Sequence, residues 1–410
     1  MNKTTIAISI ATVLLVAGAG ANYHIKSQLA EEYQAERDTL LAEVNQQDNI
    51  EVSVVSSNFN GNGVTERLSF VMTDSDGNKL DPLFFNHMVS FTLSGANISG
   101  AMKIDQTAGL AKMLHDKHQI TLDNEGKWSY DYAKDSSQFE MFIDPSEFKK
   151  NSDSFDIDKI LIKGSSMNGT QTASFEFSNL EAKSKRETFS IDHVILSSTS
   201  SVDEQGYSVL GDESTFTISG IKAIADGQGL TIKDISTTIG ATDTAGHVTI
   251  GEKVFINEIK QQTAEGSTLD HGSVALDMEL DNINKDALTQ LLNAKASDAE
   301  VASQALDKIT LDGPIFKINE LSSKYINAKG MIQLKPIRAS QVYYPSSILP
   351  FINAELYINA NEAALKEIGA QSHAEMAVMQ GLAVKSNGTY VSDIKYDKGE
   401  TVINGIVVPM

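Results

Sequence analysis

The sequence predicts an α+β fold that is mainly β. An N-terminal transmembrane helix is expected to precede a long curved antiparallel sheet of repeated strand and hairpin units, with a few packed helices. Three observations carry this. Residues 4–23 hold no charged side chain. Beyond residue 48, apolar residues alternate with Ser and Thr at a period of two, punctuated by Asn-Gly pairs. Finally, Ser174–Ser198 has an echo at Thr215–Thr238, a constant offset of 41 residues. The expected organisation is an anchor over 1–23, an amphipathic helix over 24–48, a repeat-containing β domain over 49–283 and an α+β portion over 284–410 that continues the same sheet.

With 410 residues, 41% apolar and 21% charged, the chain has the length and content of one large or two ordinary domains. A net charge of -21 argues against a phosphate-backbone binder, which needs Lys and Arg to displace counterions, so nucleic acid is not an expected partner. The lack of cysteine removes disulfides, thiolate nucleophiles and zinc–thiolate sites.

At the N-terminus, Lys3 and the free amine precede the uncharged run. About 20 helical residues span the ~30 Å core of a bilayer. Charge ahead of the run favours a cytoplasmic amine and an exported remainder, with Tyr23 at the interface. Ala17-Gly18-Ala19 and Ala19-Gly20-Ala21 are small-x-small sites, so export followed by signal cleavage is the alternative.

Over 24–48, Ile25, Leu29, Tyr33, Leu40 and Val44 share one helical stripe, with Arg37, Asp38 and Glu43 elsewhere. Two readings fit. The stripe pairs with a second copy in a short coiled coil, making the protein a homo-oligomer, or the helix packs back on its own domain.

After Asp48 the period changes from 3.6 to 2, with hairpin turns expected at Asp76-Gly77, Asn168-Gly169, Asn387-Gly388 and Asn404-Gly405. The echo aligns Phe175, Phe177, Leu180, Phe189, Ile191 and Val194 with Phe216, Ile218, Ile221, Leu230, Ile232 and Ile235. These twelve residues form the candidate apolar sheet face. "FSNL", "IDHV", "ISGI", "IKDI", "INEI" and "INEL" each place two polar residues between two apolar ones, where strict alternation allows one. The extra residue predicts a bulge or corner. Helices are expected over 105–116, over 284–308 behind an N-cap-like Asn284, and over 361–383 with a break near Gly369. A loop with exposed Tyr343 and Tyr344 is expected near the prolines at 336, 345 and 350.

Catalytic and cofactor motifs are lacking: there is no G-x-S-x-G, no phosphate-binding G-x-x-x-x-G-K-[ST] and no H-E-x-x-H. The i, i+3 pair His115 and His118 could hold a metal but has no predictable carboxylate partner. "DSDGNKLD" (74–81) and "NSDSFDID" (151–158) resemble calcium loops only loosely, and "DGQGL" reads as a turn. No catalytic residue, cofactor or metal is expected.

One likeness is specific. "YVSDIKYDKGETVINGIVV", with Tyr390, Ile394, Tyr396, Gly399, Asn404 and Gly405, resembles the closing strand pair of the YdgA-like family of bacterial envelope proteins. The N-terminal segments and "LDMELDNINKDALTQLL" are similar to the same family. The resemblance implies a protein anchored in the bacterial inner membrane by a single pass through residues 4–23, with its C-terminal domain in the periplasm and no catalytic residues to carry over. The expected function is a non-enzymatic envelope scaffold or assembly protein that self-associates. The alternative is lipid or hydrophobic-ligand binding along an apolar groove of the sheet.

Overall fold

A computed structural model describes residues 33–35, 37–39, 41–42, 44–45, 50–59, 63–74, 77–92, 97–131, 136–145, 148–150, 153–201, 213–293, 299–341 and 345–408. The described chain is mainly strand, paired antiparallel throughout, with few helices. It divides into two compact units, Met1–Ser208 with Ile218–Asp226, and Val209–Thr217 with Gly227–Met410. The long strand Thr268–Asn284 runs through residue 283, and its ladder to Ile315–Ser323 ties both sides of that position together.

In the first unit β1 (Ile50–Phe59), β2 (Gly63–Met72), β3 (Leu83–Thr92), β4 (Asn97–Ile104), β5 (Leu122–Asp131) and β6 (Ser136–Pro145) form a meander. The helix Gly109–His118 joins β4 to β5. It starts later than expected, because Asp105 is occupied by Arg67 and by the backbone and hydroxyl of Thr107. Next come β7 (Phe148–Lys150), β8 (Asp153–Ile157), β9 (Ile160–Met167), β10 (Thr170–Phe177), β11 (Leu180–Lys183), β12 (Glu187–Ile191) and β13 (Val194–Ser201), then β14 (Glu213–Ala225), of which Ile218–Ala225 belongs to this unit. The ladder β6–β9–β10–β13 extends the meander, while β8, β11, β12 and β14 pair in a second ladder.

The predicted corners are where one ladder passes into the other. Ser178-Asn179 separates β10 from β11, and Asp192-His193 separates β12 from β13. Asp158-Lys159 does the same between β8 and β9, a third corner between the ladders, with the same two polar residues between apolar ones, that the sequence reading missed. Asn179 adopts φ +56, a left-handed conformation that Asn tolerates better than branched residues. The backbone stays satisfied across the corner: Asp192 N donates to Gly220 O at 2.8 Å, and Ser219 N donates to His193 O at 2.9 Å. The copies of the echo are neighbours in the second ladder, with Ile191 opposite Ile221 and Phe189 opposite Ala223.

The core of this unit joins Val52, Val64, Leu68, Phe70, Phe85, Val89, Met102, Phe139 and Met141. Tyr33 and Val44, two members of the expected self-association stripe, belong to it and are 3% and 8% exposed. The apolar surface of these two is buried by their own domain. Ile25, Leu29 and Leu40, like the anchor over 4–23, lie outside the described residues. Among the described residues no helix is long and apolar enough to cross a membrane.

The second unit continues with β15 (Gln228–Thr244), β16 (His247–Gln262), β17 (Thr268–Asn284), β18 (Ile315–Ser323), β19 (Ile326–Leu334), β20 (Ile352–Asn361), β21 (Val384–Ser386), β22 (Thr389–Asp397), β23 (Glu400–Ile403) and β24 (Ile406–Val408). From β15 to β20 each strand pairs with the next; β22 then joins β20, and β21 and β23 share its other edge. Asn387-Gly388 and Asn404-Gly405 have positive φ at both residues, as does Asn168-Gly169 in the first unit. That is the type I′ geometry whose twist matches the flanking strands.

The helices expected over 284–308 and 361–383 each appear as two: Lys285–Asn293 and Ala299–Leu311, then Glu362–Glu367 and Gln371–Met379. Gly369 breaks the second pair at φ +73. Both helix pairs open on an asparagine cap. Asn284 Oδ1 accepts from Ala287 N at 3.0 Å, and Asn361 Oδ1 accepts from Ala364 N at 3.1 Å. The first pair packs Ala287, Ala305 and Ile309 on Ile283; the second packs Leu365 with Ala360 and Tyr390. Around Pro345 the chain forms 3-10 turns, and Tyr343 and Tyr344 lie outside the described residues.

Candidate functional site

Pairing register assigns side chains to faces, since directly opposed residues share a face. One row across the second unit reads Ala241, Ile250, Leu280, Phe316, Ile332, Ala354 and Tyr396. A parallel row reads Thr237, Val254, Leu276, Leu321, Ala328 and Ile358. The opposite face reads Lys253, Asp277 and Glu320, with Lys253 bridging Asp277 at 3.3 Å. One side is therefore apolar and the other polar. Among the described residues, the helix pairs pack on the apolar side at Ile283 and at Ala360 and Tyr390. Between them Leu280 and Ile332 remain 38% and 47% exposed, and the other members of their rows are half-buried.

A pocket of about 500 Å³ opens on this unit, within the usual range of small-molecule sites (about 300–1,000 Å³). Its apolar walls are Leu230, Ile259, Val274, Leu321 and Ile326, and the polar groups at its margin are His271, Ser323 and Tyr325. Ile259 and Leu321 are the last apolar residues of "INEI" and "INEL". The ladders shift register at those motifs, between Ile256 and Ile259 and between Ile318 and Leu321. The corner grammar of the sequence thus shapes the pocket wall.

His271 sits at the second irregularity of β17, between Asp270 and Gly272, whose φ is +74. Its Nδ1 lies 2.7 Å from the Tyr325 hydroxyl and its Nε2 3.4 Å from Gln261 Oε1. Ser323 Oγ is used locally, donating to Ile326 O and accepting from the backbone N–H groups of Tyr325 and Ile326. Lys324 pairs with Glu367 and donates to Asp270 O, while Lys233 and Lys260 pair with Glu258. Sequence reasoning missed His271, Tyr325 and Gln261. The available signal was the pairing of a corner motif with an out-of-register His, visible only once β16 and β17 are aligned.

A second polar cluster lies in the core of the first unit. Glu66 accepts from Tyr33 Oη at 2.8 Å, from Ser57 Oγ at 3.1 Å and from the Arg37 guanidinium. Trp128 Nε1 donates to His87 Nε2 at 2.8 Å, so a neutral His87 carries its hydrogen on Nδ1, facing Glu66 Oε2 at 3.4 Å. Burial pushes the Glu66 carboxyl up, but the His87 ring, the Arg37 charge and the Tyr33 hydroxyl together hold it below the usual range. Burial, with the Glu66 charge, raises Tyr33 well above its usual value. With Glu66 and His87 only 2% and 1% exposed, no substrate reaches this cluster; it fastens the helical segment of Tyr33 and Arg37 to β2, β3 and β5.

The other candidates carry less. His115 is exposed beside Asp116, and among the described residues no three His, Cys, Asp or Glu side chains group as a metal site. A groove of about 690 Å³ on the first unit is lined by Ser129, Gln138, Ser165, Thr172 and Thr199, and its Lys127 and Lys163 pair with Glu125 and Glu140. Of the candidate sheet face, Leu230 lines the pocket; Val194 and Ile218 are buried; Phe189 is exposed; Phe175, Phe177, Leu180, Ile191, Phe216, Ile221, Ile232 and Ile235 are half-buried.

One charged site gives a pH dependence. Asp281 accepts from Thr249 Oγ1 at 2.6 Å, Lys317 Nζ at 2.9 Å and Asn282 N at 2.8 Å, which lower its pKa from 3.8 to about 2. A carboxylate lowered in the folded state stabilises fully above its unfolded value, and that contribution disappears as the pH falls through the folded value. Scanning calorimetry is expected to show Tm falling between about pH 4 and pH 2, and Asp281→Asn is expected to flatten that limb while lowering Tm at neutral pH. An equally steep limb in the variant would rule Asp281 out as its source.

The family model described as "Bacterial protein of unknown function (DUF945)" matches residues 130–410. The chain belongs to the DUF945 family. The DUF945 match includes every residue of the His271 pocket and excludes Tyr33, Arg37, Glu66, His87 and Trp128 of the buried cluster. No curated protein matches the chain.

Proposed function

We propose that this DUF945 protein is a non-enzymatic apolar-ligand binder of the bacterial envelope, holding a lipid chain against the apolar face of its second unit. One observation carries the reading: a continuous apolar sheet face, half-exposed between two helix-covered ends, with a pocket of about 500 Å³ in it. A sheet with one apolar face needs a covering layer, and a ligand chain can supply one. The uncharged run over residues 4–23 and the resemblance to YdgA-like proteins support an inner-membrane anchor with the domain in the periplasm, where such chains are at hand. Self-association through the helical stripe is less favoured, since Tyr33 and Val44 are committed to the core.

Native mass spectrometry of the full-length, detergent-extracted protein is expected to show a bound lipid mass that Leu321→Asp abolishes, with the circular dichroism unchanged. Lipid-free protein, monomeric or oligomeric, would overturn the reading.

A further inference from the structure

The pocket has a chemical polarity of its own. Its walls are apolar, and charged residues next to its lining residues in the chain are already paired: Lys324 with Glu367, and Glu258 with Lys233 and Lys260. Ser323 is consumed by its own turn. What remains is the His271 ring. Gln261 Oε1 can only accept, which places a hydrogen on Nε2; with Tyr325 Oη at 2.7 Å from Nδ1, a neutral ring then accepts the phenol hydrogen there and a charged one donates from it. Nε2 bears a hydrogen in both cases, with Gln261 Oε1 as its acceptor. At 3.4 Å that bond is longer than the 2.7–3.2 Å of a full-strength contact, so the donor is under-used.

We propose that His271 Nε2–H recognises the carbonyl oxygen of a fatty acyl ligand, a free fatty acid or an acyl ester, whose chain lies along Leu230, Ile259, Val274, Leu321 and Ile326. This rests on the apolar-ligand reading above and names its ligand class. A polyanionic head group fits less well. None of the pocket's lining residues is a lysine or arginine, and the neighbouring Lys324 is already paired with Glu367. Tyr325 orients the imidazole and packs against the cluster of Ala360, Leu365 and Tyr390.

The test is competition against a fluorescent fatty acid probe, cis-parinaric acid, bound to the full-length protein in dilute mild detergent. The competitors share one chain length: n-dodecane, dodecanoic acid and 1-monododecanoylglycerol. The acid or the ester, or both, should displace the probe more strongly than the alkane, and whichever is stronger identifies the head group. His271→Ala is expected to weaken the acid and ester about threefold to tenfold, the worth of one hydrogen bond, and to leave n-dodecane unchanged, which also certifies an intact pocket. Equal acid and ester affinities in His271→Ala and the parent would overturn the carbonyl proposal while leaving apolar binding standing. If the probe binds neither protein, or if Leu321→Asp binds it as well as the parent does, the apolar-ligand reading itself falls.

Discussion

Glu66→Ala is expected to destabilise the first unit by about 3–5 kcal/mol, the usual cost of removing one partner from a buried ion pair. The substitution removes the buried acceptor shared by the Arg37 guanidinium, whose side chain is 11% exposed and keeps only Asp38 as a carboxylate partner, and by the Tyr33 and Ser57 hydroxyls. The chain has one tryptophan, and Trp128 belongs to this cluster through His87. Urea unfolding followed by its fluorescence therefore reads the unit directly. A loss below about 1 kcal/mol would show that Glu66 is not the hub of the cluster, since that is the range of an exposed pair. The double variant Arg37→Met with Glu66→Leu should recover much of the loss, because two apolar groups leave no unpaired charge. Because the Glu66 carboxyl is held below 4.5, its contribution is complete above that pH and is lost on further acidification.

The second large effect concerns the packing of Trp128. A Cβ placed on Gly100 would lie 2.1 Å from the Trp128 Nε1, inside any permitted contact. Gly100→Ala must push the indole off His87 Nε2 and is expected to cost about 1–3 kcal/mol, the range for an overfilled core. Trp128→Ala is expected to cost about 3–5 kcal/mol. The two should combine to less than their sum, because the truncated side chain vacates the space that the new methyl needs. Urea unfolding followed by circular dichroism serves here, since Trp128→Ala removes the fluorophore. Simple additivity would mean that Gly100 is needed for backbone reasons rather than for the indole.

These two sites also mark how far a linear reading reaches. The hairpin turns, the asparagine caps and the break at Gly369 were legible, because each is decided by two to four adjacent residues whose side chains set the local φ or supply a local acceptor. The corners were legible for the same reason: two polar residues between apolar ones is a phase error that a strand must absorb on the spot. Glu66 was half legible. It stands at the inward parity of Val64, Leu68 and Phe70, as His87 stands between Phe85 and Val89, so its burial follows from alternation. Its partners did not. Tyr33 and Arg37 come from a different element, and the surface parity of an amphipathic helix is the same whether it meets a second copy or its own sheet.

By itself, the sequence determined the class of this protein: mainly antiparallel β, acidic, free of cysteine, with asparagine-led turns and polar corners at defined positions. It also determined that one face of each strand would be apolar. Only the tertiary structure decided what lies against those faces. It buried the helical segment of Tyr33 and Val44 in the first core, and it left the row through Leu280 and Ile332 partly open in the second unit. It also brought His271 to Tyr325 and Gln261, residues 54 and 10 positions away. The physical reason is that alternation records which way a side chain points, a property of neighbours along the chain. What covers a face depends on contacts between residues far apart in it, and those are set by register and by loop closure.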